Sequence, residues 1–177
     1  MQAITANRYG RAQSAADPFE RLFRDEYSRV VGIAYRVLAD RHEAEDVAQE
    51  VFVDFHRLHR ADAPYAGPWL HRAAANTALN AVRSRSRRNR REASYGALET
   101  QRSVDPADVA EVTEERLLVR AALARLPGKS ATVLALRYGG LSYAEVAQAL
   151  GVKVGQIGTL LRRAEAKLRR EVDNATS

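Results

Sequence analysis

No cysteine occurs among the 177 residues of this chain. That excludes disulfides, thiolate metal sites and cysteine nucleophiles, and it suits a reducing, cytoplasmic setting. There is one tryptophan and one methionine. No apolar run is long enough to span a bilayer, so membrane insertion is not expected. Residues 1–16 lack the apolar core of a secretory signal and read as a disordered tail. The only histidines are His42, His56, His59 and His71. His42-Glu43 begins like a zinc-protease motif, but Asp46 stands where the second histidine belongs. A glycine-rich loop of the kind that cradles phosphates is missing too. The expectation is no metal, no cofactor and no enzyme. What the chain does have is positive charge, a formal +6. A basic balance points to a polyanionic partner without specifying a fold.

Hydrophobic periodicity is helical throughout, with no strand alternation and no internal repeat. Asp17-Pro18-Phe19-Glu20 is a helix start, with Asp17 as cap, Pro18 at the first position and Glu20 three residues on. Phe19, Leu22, Phe23, Val30, Val31, Ala34 and Leu38 then recur at helical spacing. Asp40 to Glu43 repeats the capping arrangement, and Ala44, Val47, Ala48, Val51, Phe55 and Leu58 form the next stripe. Pro64, Gly67 and Pro68 mark a loop. A third helix starts near Pro68, with Leu70, Ala74, Ala78 and Ala81 as its buried face. The stripe fails from about Glu92, and helical character resumes near Ala107. The expected fold is all-α, as two small helical domains on a flexible linker. The division is a tail at 1–16, an N-terminal domain at 17–91, a linker at 92–106 and a C-terminal domain at 107–177.

The strongest local pattern lies in the second domain. Ser142 can cap a helix and Glu145, three residues later, can close the capping box. Leu141 and Val146 occupy staple positions, and Gly151 permits a left-handed reversal. Ala147 is small where two helices must approach, and Val146, Leu150, Val152, Ile157 and Leu160 supply a seam. This is the helix-turn-helix pattern, whose second helix lies in the DNA major groove. A plain helical hairpin is the competing reading.

Two polar faces of opposite sign stand in the first domain. Glu43, Asp46, Glu50 and Asp54 make an acidic stripe flanked by Gln49. Like charges at this spacing slightly destabilise an isolated helix, so a basic partner is one explanation and a solvated face the other. On the third helix Arg72, Asn76, Asn80, Arg83 and Arg87 share one face and lead into the run Arg83 to Arg91. Arginines there can neutralise phosphates, and asparagines can read base edges. Tyr65 and Trp69 could stack on an unpaired base or serve as packing.

Four segments in order resemble the extracytoplasmic-function class of bacterial sigma factors: Phe19 to Leu38, Ala44 to Phe52, Trp69 to Asn80 with the arginine run, and Leu123 to Arg169. The resemblance covers nearly all of the chain beyond its tail. It implies that Asp46, Gln49 and Glu50, extended by Glu43 and Asp54, dock on core RNA polymerase. It implies that Arg72, Asn76, Asn80, Arg83, Arg87, Tyr65 and Trp69 engage the minus-ten promoter element. Lys153, Gln156, Thr159, Arg162 and Arg163 would face the minus-thirty-five element. Promoter DNA, core polymerase and an anti-sigma factor are the implied partners. A sigma-like or helix-turn-helix regulator acting without polymerase is the alternative. The chain departs from the family pattern at Lys153, where a capping Ser or Thr is usual, and at Gly158 and Leu160, where basic residues are common.

Overall fold

Side-chain caps set the first two helix starts in the computed structural model, which describes residues 17–94 and 114–176. Asp17 accepts the Phe19 N–H at 3.1 Å and opens α1, Pro18–Leu38. Glu20 does not close a box there; its carboxylate meets Arg24 at 2.7 Å. Asp40 accepts the Glu43 N–H at 2.9 Å and opens α2, Arg41–Leu58. α3 is Ala66–Ser94, followed by α4 (Glu114–Arg125), α5 (Gly128–Tyr138), α6 (Tyr143–Leu150) and α7 (Val154–Thr176). The described residues contain no strand, so the all-α expectation holds. The 1–16 tail, and the expected linker and helix start from 95 to 113, lie outside the described residues.

α3 begins at Ala66 rather than near Pro68, because the Trp69 N–H already reaches the Tyr65 carbonyl at 2.9 Å. Pro68 is tolerated in a first turn, where its missing N–H has no helical acceptor. The helix also runs past residue 91 to Ser94.

α1, α2 and α3 pack on one another through Val30, Ile33, Ala44, Val51, Phe55 and Leu70, all 2% exposed or less. Removing a ring such as that of Phe55 from water contributes about 1.5–3 kcal/mol. Leu58, expected in the α2 stripe, is instead 72% exposed, at the very end of its helix. In the second half α5 is buried on nearly every side, from Ala131 through Leu136. A helix apolar all round belongs between layers. α5 lies against α7 and also against α1 and α3.

The two halves therefore share one hydrophobic core. α3 is buried on a wider arc than its Leu70, Ala74, Ala78 stripe, since Ala75, Leu79 and Val82 are buried as well. Ala81, expected in the stripe, is only half-buried.

Candidate nucleic-acid interface

The helix-turn-helix is built from local chemistry. Ser142 Oγ accepts the Glu145 N–H at 3.3 Å, and Glu145 Oε2 accepts the Ser142 N–H at 2.8 Å. The Ser142 hydroxyl donates to the same carboxylate at 2.8 Å. These bonds, and then Arg29 beside it, hold the Glu145 carboxyl below its ordinary pKa. α6 ends on Gly151 at φ 66°, and its terminal carbonyls are satisfied by Gly151 N–H to Gln148 (3.3 Å) and Val152 N–H to Ala147 (3.0 Å). That is the paired closure of a Schellman turn, and it needs a residue tolerant of positive φ. Val146, Ala147 and Ile157 are buried in the seam, as the pattern requires. Leu150, Val152 and Leu160 are partly buried against it. Leu160 thus packs on its own core.

The outward face of α7 carries Gln156, Thr159, Arg162 and Arg163, all exposed, with Lys153 exposed just before the helix. No Ser or Thr caps α7. Gln156 Oε1 accepts the Lys153 N–H at 3.0 Å instead, which is half of a capping box without its hydroxyl. Gly158 is half-buried beside Arg162, and a Cβ there would meet the Tyr143 ring at 3.9 Å. Tyr143 is also under Arg137, whose guanidinium sits 5.6 Å from the ring centroid.

The face of α3 is wired differently. Arg72, Asn80 and Arg87 are exposed, but Asn76 and Arg83 are half-buried. Asn76 Oδ1 accepts from the Thr132 hydroxyl at 2.9 Å, and Arg83 donates to the Leu126 carbonyl at 3.2 Å. Both acceptor and donor partners come from the second half of the chain. Thr132 is one polar residue inside the apolar run Ala131 to Leu136, the one sequence signal that α5 meets something polar. At the start of α3, Trp69 packs on Phe55 (centroids 5.4 Å) and His59 (4.8 Å). Tyr65, 49% exposed, meets the edge of His59 at 5.8 Å. His59 was not among the expected site residues, yet it lies between the two candidate stacking rings. Behind them His71, 4% exposed, is tied to Glu26 of α1 at 2.7 Å.

On α2 the acidic stripe divides. Asp46, Gln49, Glu50 and Asp54 are exposed, and no ion pair to another described residue holds any of the three carboxylates. Glu43 is different: it is half-buried and paired with Arg85 of α3. Its second oxygen, Oε2, is buried with no hydrogen-bond partner among the described residues. Arg120 of α4 is close by, its pKa lowered first by burial and then by Arg85. Glu43 therefore belongs to the packing between helices more than to the open acidic face.

Among the described residues no group of His, Cys, Asp and Glu is arranged to hold a metal ion. No described helix is long and apolar enough to cross a membrane.

Two family models match the chain: Sigma-70 region 2 over residues 22–88 and Sigma-70, region 4 over residues 116–168. The ECF RNA polymerase sigma factor SigE of Mycolicibacterium smegmatis is 35% identical over 162 residues, covering 89% of this chain and 62% of that protein. This chain thus spans less than two thirds of that relative's length. SigK of Mycobacterium ulcerans, also an ECF RNA polymerase sigma factor, is 32% identical over 167 residues, covering 92% of this chain and 89% of the relative. The solved structure of CnrH in complex with the cytosolic domain of CnrY matches with a TM-score of 0.51 at 24% identity, over 88% of each chain. That last likeness bears on the fold.

Proposed function

Because the chain belongs to the extracytoplasmic-function class of RNA polymerase sigma factors, we propose that it binds core RNA polymerase, directs it to specific promoters and promotes their opening. The observation that carries the reading is the open α2 face. Asp46, Glu50 and Asp54 are exposed, and no other described residue forms an ion pair with them, in a protein of formal charge +6. A basic surface of core polymerase supplies the missing counter-charge. A helix-turn-helix regulator acting without polymerase leaves that face without a partner.

The division of labour follows from the side chains. Gln156, Thr159, Arg162 and Arg163, with Lys153, approach the minus-thirty-five duplex, the arginines by phosphate attraction and Gln156 and Thr159 by base contacts. Arg72, Asn80 and Arg87, joined by Asn76 and Arg83, engage the minus-ten region, and Tyr65 and Trp69 offer rings to an extruded base. Opening a duplex costs stacking and pairing energy, which captured bases and phosphate contacts offset. The chain supplies specificity, and polymerase carries out the phosphoryl transfer. The site of action is the cytoplasm. An anti-sigma factor is the regulatory partner this reading carries.

Run-off transcription with purified core enzyme tests the proposal, using promoters mapped after induced expression. The wild-type chain should confer promoter-specific transcripts. Asp46→Arg and Glu50→Arg should lower core binding while retaining helicity, since reversal adds repulsion to the lost attraction. Unchanged core affinity in both variants removes α2 as the docking face.

A further inference from the structure

We propose that Glu26 and His71 are positioning residues for base capture: the bond between them fixes the start of α3 and, through it, the Tyr65 and Trp69 rings. The inference rests on the promoter reading above for what the rings meet, but not for the positioning itself. Glu26 Oε2 of α1 lies 2.7 Å from His71 Nε2, and the His71 side chain is 4% exposed. Leu70, Ala74 and Ala75 beside it are fully buried apolar residues, so a leucine at 71 would serve the core as well. A buried polar pair is a poor source of stability compared with apolar residues of the same size. What it supplies is direction.

The turn is shaped to admit the carboxylate. A Cβ on Gly67, in the first turn of α3, would stand 3.0 Å from Glu26 Oε1 and 4.0 Å from His71 Cε1. Glycine is a weak helix former, and alanine would favour this turn. The missing side chain instead leaves the room in which the Glu26 carboxylate reaches His71.

The two rings depend on that turn. Tyr65 immediately precedes α3, and its carbonyl accepts the Trp69 N–H at 2.9 Å, so both residues move with the first turn. From α2, Phe55 and His59 pack on Trp69 at 5.4 and 4.8 Å between centroids. Apolar packing sets a distance but tolerates sliding, because burial is non-directional. A hydrogen bond weakens steeply as its angle closes, so the Glu26 bond opposes rotation of α3 about its own axis. A functional ring has to be held to about 0.5 Å and 10–20° of its productive geometry.

Trp69, the one tryptophan of the chain, is itself the reporter. Acrylamide quenching of its fluorescence in the full chain compares wild type with Glu26→Leu, Glu26→Gln and Gly67→Ala, with circular dichroism to confirm folding. Glu26→Leu removes the partner, and Gly67→Ala displaces it while favouring the helix. Glutamine can accept from or donate to the imidazole, whichever tautomer is present, so it should restore the tie. Quenching should rise about twofold in Glu26→Leu and Gly67→Ala, as the turn loosens locally, and stay near wild type in Glu26→Gln. Holoenzyme formed with core polymerase is then titrated with a fluorescein-labelled non-template strand of the minus-ten region, and with the same strand made abasic across that element. Glu26→Leu and Gly67→Ala should bind the intact strand roughly three- to tenfold more weakly, part of the worth of one stacked base. They should bind the abasic strand like wild type, since the rings act only on a base. Glu26→Leu raises the net charge by one, so electrostatics alone predicts tighter binding and the two explanations have opposite signs. Quenching unchanged in both variants, or Glu26→Gln as perturbed as Glu26→Leu, overturns the positioning. Equal losses on the intact and abasic strands overturn its route through the rings. The quenching needs neither polymerase nor DNA, so it decides the positioning even if core binding fails.

Discussion

α3 and α7 carry the same kinds of side chain, and on the proposed reading meet the same kind of partner, yet the chain treats them differently. On α7 the polar face is open, and the bond that Gln156 accepts from the Lys153 N–H at 3.0 Å lies within its own first turn. On α3 the two central polar residues reach partners 56 and 43 positions away, Thr132 and Leu126. A polar face at helical spacing thus establishes direction without establishing access. A guanidinium can be a phosphate ligand in one state of a chain and a tie between helices in another.

The comparison breaks most easily at the shared core. Leu136, fully buried in α5, belongs to a cluster that spans both halves. Leu136→Ala should destabilise the chain by about 2–5 kcal/mol. Calorimetry should show one transition moving as a whole. Two transitions with only one displaced would mean that the halves melt independently and that α3 is free more often than the packing implies.

A pair of arginine substitutions sharpens the contrast. Arg83→Ala should lower stability by about 1 kcal/mol, the typical worth of a hydrogen bond. Arg162→Ala, exposed on α7, should leave the melting temperature within error. Both should weaken promoter binding and reduce its salt slope by about one counterion. Equal melting temperatures for the two variants would argue that the Arg83 tie contributes nothing.

A smaller effect is expected at the start of α7. Lys153→Ser supplies the hydroxyl that the half-formed capping box lacks, and should stabilise by about 0.5–1 kcal/mol. Thermal melts of the full chain would detect it, and a drop in melting temperature would show that Lys153 has a role the cap does not replace.

The smallest is a pH effect at Glu145. Its folded-state pKa is depressed by the Ser142 bonds and then by Arg29. A depressed carboxyl contributes stability that is present above its ordinary value of 4.5 and is lost as pH falls through the lower folded value. Its side chain is 32% exposed, so after solvent screening the contribution is a few tenths of a kcal/mol. Glu145→Gln should flatten the difference in stability between neutral and acidic pH. An unchanged acid limb in urea titrations would remove Glu145 from the account.

Legibility followed the range of each interaction. The Ser142 and Glu145 box, the Gly151 reversal and the Asp40 cap are settled within a few residues, and the sequence pattern places them. The exposed Asp46 and Glu50 lie on one face for the same reason. Glu43 shares their spacing but is taken by Arg85, 42 positions on, and nothing local announces that. The second buried arc of α3 was equally hidden, because Ala75 reads as well on a solvent face as in a core. Leu58 erred in the opposite direction: its spacing is that of a core residue, but its helix ends with it. Glu20 pairs with Arg24 rather than closing a box, since a nearby cation competes for the same carboxylate.

The bond from Gln156 to the Lys153 N–H has an evolutionary consequence. On the proposed promoter reading one side chain both starts α7 and contacts the DNA, so a substitution that alters base preference would also loosen the start of the helix. Such a position changes slowly while it does both jobs. A serine or threonine at 153 would take over the start and release Gln156 to vary. Lys153 is thus a permissive position, and the promoter preference of such a lineage should shift only after residue 153 has changed.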